Sequence, residues 1–399
     1  MGGAYGHLSH PYDIEDFTFN DLKEIIMLAL SGNLHYAEEK TDAVNLMVSW
    51  KAGRLIAARS KTHLKNAGAQ AMSTADVIAK FKGRGLEVAY GEAMHDLTSA
   101  ISKLSDRQKE KIFQDGRTWM SLEVMMPQNA ENIIKYGITE LRLHGTLTYD
   151  EQGEPISQIN KEAARMFEGM LRQINADKQK TFTVRKLSRV SLPPVNSFAQ
   201  KKAQYISELQ RIMNMYGVKG NNTMVDAKKN YFDAILKSIK IQDQNIHQQI
   251  LERWTYDRKS IRIAALLTQL PKDQKDAVKK INDNIEQDYK AIQKPIELLF
   301  LKLGADVLSL MSDFMALNPS DVVRDIKMEI DNVVALVKKS NNPDLMTKMQ
   351  HEIERLNAIG GPEKIIPSEG ITFFYKGELL KLTGTFAPVN QLLGLRFRM

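Results

Sequence analysis

The chain has 399 residues, of which 43% are hydrophobic and 26% charged, a composition typical of a folded protein with two or three domains. It contains no cysteine, which excludes disulfides, thiolate zinc sites and cysteine nucleophiles. A net charge of +7 favours an anionic partner such as a nucleotide or a nucleic acid.

Neither export nor membrane insertion is indicated. The first residues, MGGAYGHLSHPYD, lack the charged and apolar regions of a signal peptide. The most apolar stretch, residues 295–317, is interrupted by Glu297, Lys302, Asp306 and Asp313. A buried helix or helix pair is therefore predicted there rather than a membrane span. We expect a soluble, cytoplasmic protein with no membrane partner.

The first zone, residues 20–190, alternates β-type runs with helices. VNLMVSW and RLIAAR are predicted to form a hairpin across KAG. Further strands are predicted at TWMSLEV, ELRLHGTLTY and TFTVRKL. Apolar residues spaced by three and four predict one helix through Leu97, Ile101 and Leu104, and another from Ala163 to Ile174.

The second zone, residues 198–358, shows no strand pattern and carries successive amphipathic helices. Strands return in the tail, in EGITFFYKGELLKLTG, so we expect the tail to complete the sheet of the first zone. The predicted fold class is α+β with antiparallel sheets, in which residues 1–197 and 359–399 form one domain and 198–358 an all-helical insertion. Four prolines are predicted to mark helix boundaries, namely Pro271, Pro295, Pro319 and Pro343.

Residues suited to binding or attacking a phosphate occur in a specific order along the predicted strands. The first group lies in EEKTDAVN, just before the hairpin, and an arginine follows the hairpin in AARSK. A glutamate lies on the strand TWMSLEV, and a glutamate and a lysine lie in the tail. The set, in chain order, is Lys40, Asp42, Asn45, Arg59, Glu123, Glu369 and Lys381.

This order resembles the covalent nucleotidyltransferase superfamily, which comprises ATP-dependent DNA and RNA ligases and mRNA capping enzymes. KTDAVN resembles the first family motif, K-x-D/H-G-x-N, and WMSLEV, EGITF and LLKLTG resemble the third, fourth and fifth motifs. The start EK-x-D-x-x-N is nearer to the RNA-ligase branch, and LTGTFAPVNQLLG resembles phage-encoded proteins of this kind. The resemblance implies a ligase-type adenylation domain, located in the host cytoplasm or in a virion if phage-encoded.

The resemblance also implies roles for the residues. Lys40 would attack the α-phosphate of ATP, which requires a deprotonated amine, and would form lysyl-AMP. Arg59 and Lys381 would neutralise phosphate charge. Glu123 would accept a hydrogen bond from the ribose, and Glu369 would hold Mg²⁺. The other residues implied to contact the nucleotide are Glu39, Asp42 and Asn45.

Three features depart from the family pattern. Ala43 stands where the family has glycine, and alanine would strain a backbone with positive φ by about 1 kcal/mol. Thr383 replaces a frequent second lysine of the fifth motif, for which Lys376 is a candidate substitute. The chain ends soon after Lys381, which leaves no room for the usual oligonucleotide-binding barrel. The helical insertion is therefore predicted to hold the polynucleotide.

We predict an ATP-dependent polynucleotide ligase-like enzyme whose partner is RNA or a nicked duplex. The sequence does not distinguish RNA from DNA as the substrate or ATP from GTP as the nucleotide, and it does not indicate an oligomeric state. One alternative is an inactive ligase-like fold that serves as a nucleic-acid-binding or virion component. Another is an enzyme that transfers the nucleotide to something other than a nucleic-acid end. Five aromatic residues of the insertion could stack bases or belong to its core, namely Tyr205, Tyr216, Tyr231, Trp254 and Tyr256.

Overall fold

The structure, a computed structural model, describes residues 8–40, 44–127, 139–158, 175, 181–186, 198–311, 319–366 and 368–399. It confirms a mixed α+β protein. The helix predicted from Ala163 to Ile174 lies outside the described residues, as do Asp42 and Ala43.

The strands of the described residues form a small sheet and a large sheet. They are β1 (His35–Lys40), β2 (Val44–Lys51), β3 (Arg54–Ala58), β4 (Thr118–Met125), β5 (Glu140–Tyr149), β6 (Pro155–Gln158), β7 (Thr183–Lys186), β8 (Gly370–Tyr375) and β9 (Glu378–Leu382). The small sheet has the order β1-β8-β9 and is antiparallel. The large sheet has the antiparallel order β3-β2-β4-β5-β6, and β7 pairs with β5 in parallel. The predicted hairpin is β2–β3.

In chain order, most α-helices of the same segments lie between β3 and β4 or between β7 and β8. They are α1 (Phe19–Leu30), α2 (Lys61–Gly68), α3 (Thr74–Phe81), α4 (Leu86–Ser102), α5 (Asp106–Phe113), α6 (Phe198–Met215), α7 (Met224–Ile239), α8 (Gln244–Tyr256), α9 (Ile263–Leu267), α10 (Lys272–Asp283), α11 (Ile285–Met311), α12 (Pro319–Ser340), α13 (Pro343–Ala358) and α14 (Phe386–Gly394). Short 3-10 helices lie at Pro11–Asp13, Gln114–Gly116, Pro362–Lys364 and Leu395–Arg398. None of the helices in the described part of the chain is both long and apolar enough to cross a membrane.

The large sheet buries one face against α3, α4 and α5. Leu46 and Val48 on β2, and Leu122 and Val124 on β4, belong to the same apolar cluster as Leu97 of α4. Because side chains alternate along a strand, the residues between these positions point to the other face. That other face is therefore where the intervening polar residues of β2 and β4 stand.

The small sheet packs against a different core. Its apolar face, which includes Ile371, Phe373 and Leu380, lies in one cluster with residues of α1 and of the helices between 198 and 358. Gly304 of α11 allows a close approach, since an added Cβ would lie 2.0 Å from the carbonyl oxygen of Thr383. The tail strands pair with β1, a strand of the first zone, as expected. The first zone does not form one sheet, however, and the tail completes the small sheet rather than the large one, because its apolar face is buried against α1 and the helical segment.

Prolines mark helix starts at three of the four predicted positions, Pro271, Pro319 and Pro343. The prediction is wrong for Pro295, which lies inside α11. A proline in a helix interior costs about 3 kcal/mol. Ile292 and Ile296 on either side of it are fully buried, and the packing of one continuous helix offsets that cost.

The aromatic residues considered for base stacking belong mostly to the core of the helical segment. Tyr205, Tyr216 and Trp254 are buried, and Tyr231 packs against the same cluster. Tyr256 is exposed, and the guanidinium carbon of Arg258 lies over its ring, 5.2 Å from the centroid.

Candidate active site

The large sheet carries a row of polar side chains near one end. Asn45 on β2 lies opposite Glu123 on β4, and Glu123 lies opposite Arg142 on β5. Glu123 is only 7% exposed. The Asn45 amide nitrogen donates to Ser121 Oγ at 3.0 Å, while its Oδ1 is buried and has no hydrogen-bond partner in the described part of the chain. The row therefore contains a buried acceptor that a ligand group could use.

Lys40 and Glu369 form an ion pair at the end of the small sheet. Lys40 is the last residue of β1 and lies opposite Gly370, the first residue of β8. Its Nζ contacts Oε1 of Glu369, and the two side chains are 20% and 21% exposed. Burial raises the pKa of Glu369, the charge of Lys40 lowers it, and the charge of Glu123 raises it. Glu369 therefore lies close enough to the polar row of the large sheet to feel its charge.

A second ion pair joins the two sheets. Arg142 Nη1 lies 3.4 Å from Glu39 Oε2 on β1, and Arg142 Nε lies 3.4 Å from Glu140 Oε2. Burial raises the pKa of Glu39, and the charge of Arg142 lowers it. Glu39 thus points away from the amine of Lys40, as alternation along the strand predicts.

The two ion pairs bring a compact group of charged residues together where the sheets meet. We call this group the sheet junction, and it consists of Glu39, Lys40, Glu123, Arg142 and Glu369. The chain passes from β1 in the small sheet to β2 in the large sheet over residues 41–43. Lys40 and Asn45 lie on different sheets. Alternation along one strand therefore does not determine the relative directions of their side chains.

Gly370 is required by the close approach of β8 to β9. Its φ is +152°, and an added Cβ would lie 2.2 Å from the carbonyl oxygen of Leu382. A side chain at this position would therefore push the two strands apart. This glycine lies directly opposite Lys40 in the small sheet.

Lys381 lies on the same face of the small sheet as Lys40. It pairs with Thr372, which pairs with Glu38, two residues before Lys40. Burial lowers the pKa of Lys381, and the charge of Lys40 lowers it further, while Glu369 raises it. Lys381 is therefore a cation close to the Lys40–Glu369 pair.

Lys376 does not supply a second cation there. It lies in the turn between β8 and β9, at the other end of the small sheet, and its Nζ contacts Asp21 Oδ1 at 2.6 Å. The candidate substitution of Lys376 for the missing lysine is therefore not supported by its position.

The segment before α1 lies along β9 beside Lys381. The backbone N–H of Lys381 donates to the carbonyl of Ser9 at 3.0 Å. The ring of His10 stacks on that of Tyr12, with centroids 5.1 Å apart. Burial and the charges of Lys381 and Arg355 lower the pKa of His10 to about 3. A neutral imidazole therefore lies near Lys381 at neutral pH.

Arg59 packs on two rings of the cluster that covers the apolar face of the large sheet, opposite the face of the polar row. Its guanidinium carbon lies 5.4 Å from the ring centroid of Phe81 and 5.3 Å from that of Tyr90. Arg59 Nη1 donates to the Tyr90 hydroxyl, and that hydroxyl donates to the backbone carbonyl of Asn45 at 3.1 Å. Arg59 is thus connected to the start of β2 through Tyr90.

The structure brings most of the residues predicted from the motifs to one place. Lys40, Glu123 and Glu369 belong to the sheet junction, as does Glu39. Asn45 and Lys381 lie next to it. Arg59 reaches this place through Tyr90, and Asp42 lies outside the described residues. Sequence reasoning missed Arg142, although the alternation of polar residues in ELRLHG could have indicated a polar face on β5.

The acidic residues of the site fit a magnesium ion only in part. No group of three or more histidine or acidic side chains suited to a metal occurs among the described residues. Mg²⁺ commonly binds one or two carboxylates together with waters and substrate phosphates. Glu369, whose carboxylate contacts Lys40, is the residue that would hold such an ion.

Comparisons of this chain with protein families, with curated proteins and with solved structures find no match. The functional argument therefore rests on the residues of the sheet junction and its surroundings.

Proposed function

We propose that this chain is an ATP-dependent polynucleotide ligase-like nucleotidyltransferase with a ligase-type adenylation domain, acting through a lysyl-AMP intermediate. One observation carries the proposal. The amine of Lys40 contacts Glu369, and the adjacent Glu39 contacts Arg142, which lies opposite Glu123 on the large sheet. Residues far apart in the sequence thus place one lysine, two carboxylates and a nearby second lysine around the same space.

The proposed step is a displacement at the α-phosphorus of ATP. The deprotonated Nζ of Lys40 forms a P–N bond, the bond from this phosphorus to the α–β bridging oxygen breaks, and pyrophosphate leaves. One proton of the ammonium is released to solvent before the attack, and the nitrogen releases a second proton to solvent as the phosphoramidate forms. Lys381, which lies on the same face of the small sheet as Lys40, would neutralise phosphate charge.

Other residues would orient the nucleotide. Glu123 would accept a hydrogen bond from a ribose hydroxyl, and the buried Oδ1 of Asn45 would accept another bond from the ligand. Glu39 and Arg59 would shape the site, the first through Arg142 and the second through Tyr90. Bound Mg²⁺ on Glu369 would supply charge neutralisation of the phosphates.

The polynucleotide acceptor would be RNA or a nicked duplex. The chain is basic overall, with a net charge of +7, which favours binding of a polyanion. A depression of about 830 Å³ on α6 is lined in part by Lys202 and Arg211. This surface supports a role of the helical segment in holding the acceptor.

The test is covalent labelling of the protein by α-labelled ATP and, in parallel, GTP. Purified protein is incubated with the nucleotide and Mg²⁺, denatured, and examined for label on the polypeptide. Label is expected for the wild type and for Lys376→Ala, and none for Lys40→Ala. Intact mass measured beforehand detects a lysine that already carries AMP. Absence of label on protein with a free Lys40 would refute the proposal.

A second candidate is a catalytically inactive ligase-like fold that binds nucleic acid or forms part of a virion. The ion pair between Lys376 and Asp21 favours this candidate. Thr383 stands where the family often has a second lysine, and Lys376 is not positioned to take the place of that lysine. This candidate predicts nucleotide binding, measured by calorimetry, without covalent label. Label without sealing of nicked RNA or DNA would instead indicate an enzyme with another acceptor.

A further inference from the structure

The positive charge of the chain is concentrated in the segment that contains α2 to α5. Residues 51–117 contain 13 lysines and arginines against 7 aspartates and glutamates, a net charge of +6, while the whole chain carries +7. The helical segment, residues 198–358, has 25 basic and 21 acidic residues over more than twice that length. The part of the chain that covers the large sheet is therefore the part whose charge most favours an anionic partner.

Three cations of this segment stand close together between α3 and α4. Lys80 lies in the last turn of α3, Lys82 is the C-terminal cap of that helix, and Arg84 follows two residues later. All three are exposed, and we call them the basic turn. Gly83 between them has φ +75°, and no atom lies within 4 Å of an added Cβ. The basic turn is therefore open to a large partner.

Arg59 brings a fourth cation to the same place. The guanidinium carbons of Arg59 and Arg84 lie 5.4 and 5.3 Å from the ring centroid of Phe81, so they are no more than about 11 Å apart, the sum of these distances. Burial lowers the pKa of His63, and the charge of Lys80 lowers it further. His63 Nδ1 accepts a hydrogen bond from the backbone N–H of Arg59 at 3.1 Å. Lys80 therefore also lies near Arg59.

The charge of this group is not balanced by its own segment. Glu87 is the only acidic residue between positions 77 and 91, and its Oε2 accepts a hydrogen bond from the backbone N–H of Gly83 at 2.6 Å. One carboxylate thus accompanies four cations. A bound polyanion would reduce the mutual repulsion of these cations. Guanidinium groups packed on a ring, such as that of Phe81, suit phosphate oxygens because they are planar and hydrogen-bond in a fork.

The basic turn and Arg59 lie at the end of the large sheet that carries the polar row. Met47 of β2 lies opposite Ala58 of β3, so Arg59 is one strand, about 4.8 Å, from the residues just before Met47. Arg59 packs on the other face of the sheet from Asn45, and the Tyr90 hydroxyl connects the two by accepting from Arg59 and donating to the carbonyl of Asn45. An anion held here therefore lies beside the sheet end at which the sheet junction forms.

We propose that the basic turn, together with Arg59, binds the phosphate backbone of a polynucleotide and holds it beside this end of the large sheet. The inference rests on the proposed function for the identity of the polynucleotide as the acceptor. Contacts to phosphates position a strand without reading its sequence. Their strength falls as salt rises, because each neutralised phosphate releases counterions.

The test measures binding of two fluorescein-labelled probes, a single-stranded RNA 12-mer and a nicked DNA duplex, by anisotropy over a range of NaCl concentrations. Loss of two phosphate contacts in Lys80→Ala/Lys82→Ala is expected to raise the Kd, at about 0.1 M salt, roughly 25-fold for the single strand and 60-fold for the duplex. The slope of log Kd against log salt should fall by about 1.4 and 1.8, respectively. Lys80→Arg/Lys82→Arg keeps both charges and should keep the wild-type slope, which a merely structural effect of the alanines would not explain.

The matched control is Lys338→Ala/Lys339→Ala, which removes two exposed lysines from the last turn of α12 and should leave the Kd and the slope unchanged. Covalent labelling by α-labelled ATP tests the proposed function separately, and Lys80→Ala/Lys82→Ala should label as the wild type does. Absence of label in the wild type together with the expected binding results would refute the proposed function alone.

Three results would overturn the inference itself. One is an unchanged Kd and slope in the Lys80→Ala/Lys82→Ala variant. Another is an equal change in the Lys338→Ala/Lys339→Ala control. The third is a wild type that binds neither probe, and sedimentation with vesicles of phosphatidylcholine and phosphatidylserine would then show whether the basic turn binds an anionic membrane surface instead.

Discussion

Arg142 Nη1 and Glu39 Oε2, which belong to residues 103 positions apart in the chain, lie 3.4 Å from each other. Their contact joins β5 of the large sheet to β1 of the small sheet, immediately before Lys40. Both side chains are largely buried. The position of Lys40 relative to Glu123 therefore depends on an ion pair that neither strand could form alone.

The first prediction concerns this ion pair. Arg142→Ala removes the cation that lowers the pKa of Glu39 and leaves a buried carboxylate, which should reduce the free energy of unfolding by about 1–3 kcal/mol. Urea denaturation of Arg142→Ala, Glu39→Gln and the double variant gives the coupling energy between the two side chains. We expect Arg142→Ala to cost less when Glu39 is already replaced. A coupling energy of zero would show that the contact does not stabilise the fold.

The second prediction concerns the glycine after Glu369. Gly370→Ala places a Cβ 2.2 Å from the carbonyl oxygen of Leu382, so β8 and β9 must separate, at a cost of about 2–4 kcal/mol in unfolding free energy. Gly377→Ala is the matched control, because Gly377 also has positive φ but no atom lies within 4 Å of an added Cβ. It should cost only about 1 kcal/mol. Thermal or urea unfolding compares them, and equal costs would contradict the steric explanation.

The third prediction concerns pH. In the unfolded chain His10 binds a proton near its ordinary pKa of 6.5, whereas in the fold burial, Lys381 and Arg355 lower this pKa to about 3. The unfolded state therefore binds more protons between these values, and stability should fall as the pH decreases, by up to about 1.4 kcal/mol per unit.

The matched variant for this test is His10→Phe, which keeps a ring beside Tyr12 but cannot titrate. Unfolding free energies are measured for both proteins from pH 7 to pH 4. We expect the wild type to lose more stability than the variant over this range. A constant difference between them would show that His10 keeps an ordinary pKa in the fold.

The fourth prediction compares two lysines of the small sheet. Lys381→Met removes a cation close to Lys40 and should slow covalent labelling by α-labelled ATP roughly 100-fold or more, the effect typical of losing one stabilising group in a transition state. Lys376→Met removes a cation that contacts Asp21 at the other end of the sheet. Its labelling rate should match the wild type. Similar rates for both variants would remove Lys381 from the proposed step.

Sequence patterns predicted the local elements of the large sheet well. The hairpin β2–β3 and the strands β4 and β5 occur where alternation and turn residues predicted them, because these signals depend on neighbouring residues only. The prediction of a helix boundary at Pro295 was wrong, because the burial of Ile292 and Ile296 depends on the assembled core and not on neighbouring residues. The grouping of β8 and β9 with β1 likewise depended on which helices cover their apolar face.

The sequence by itself determined which residues are chemically able to form the site, and it placed Glu123 and Lys381 on strands. The strand β1 that ends at Lys40 was found only in the structure. Only the tertiary structure decided which of them meet. It placed Glu369 on Lys40, turned Glu39 toward Arg142 and bound Lys376 to Asp21. These contacts join residues separated by long stretches of chain, and they follow from the packing of two sheets on different cores. No local pattern encodes that packing.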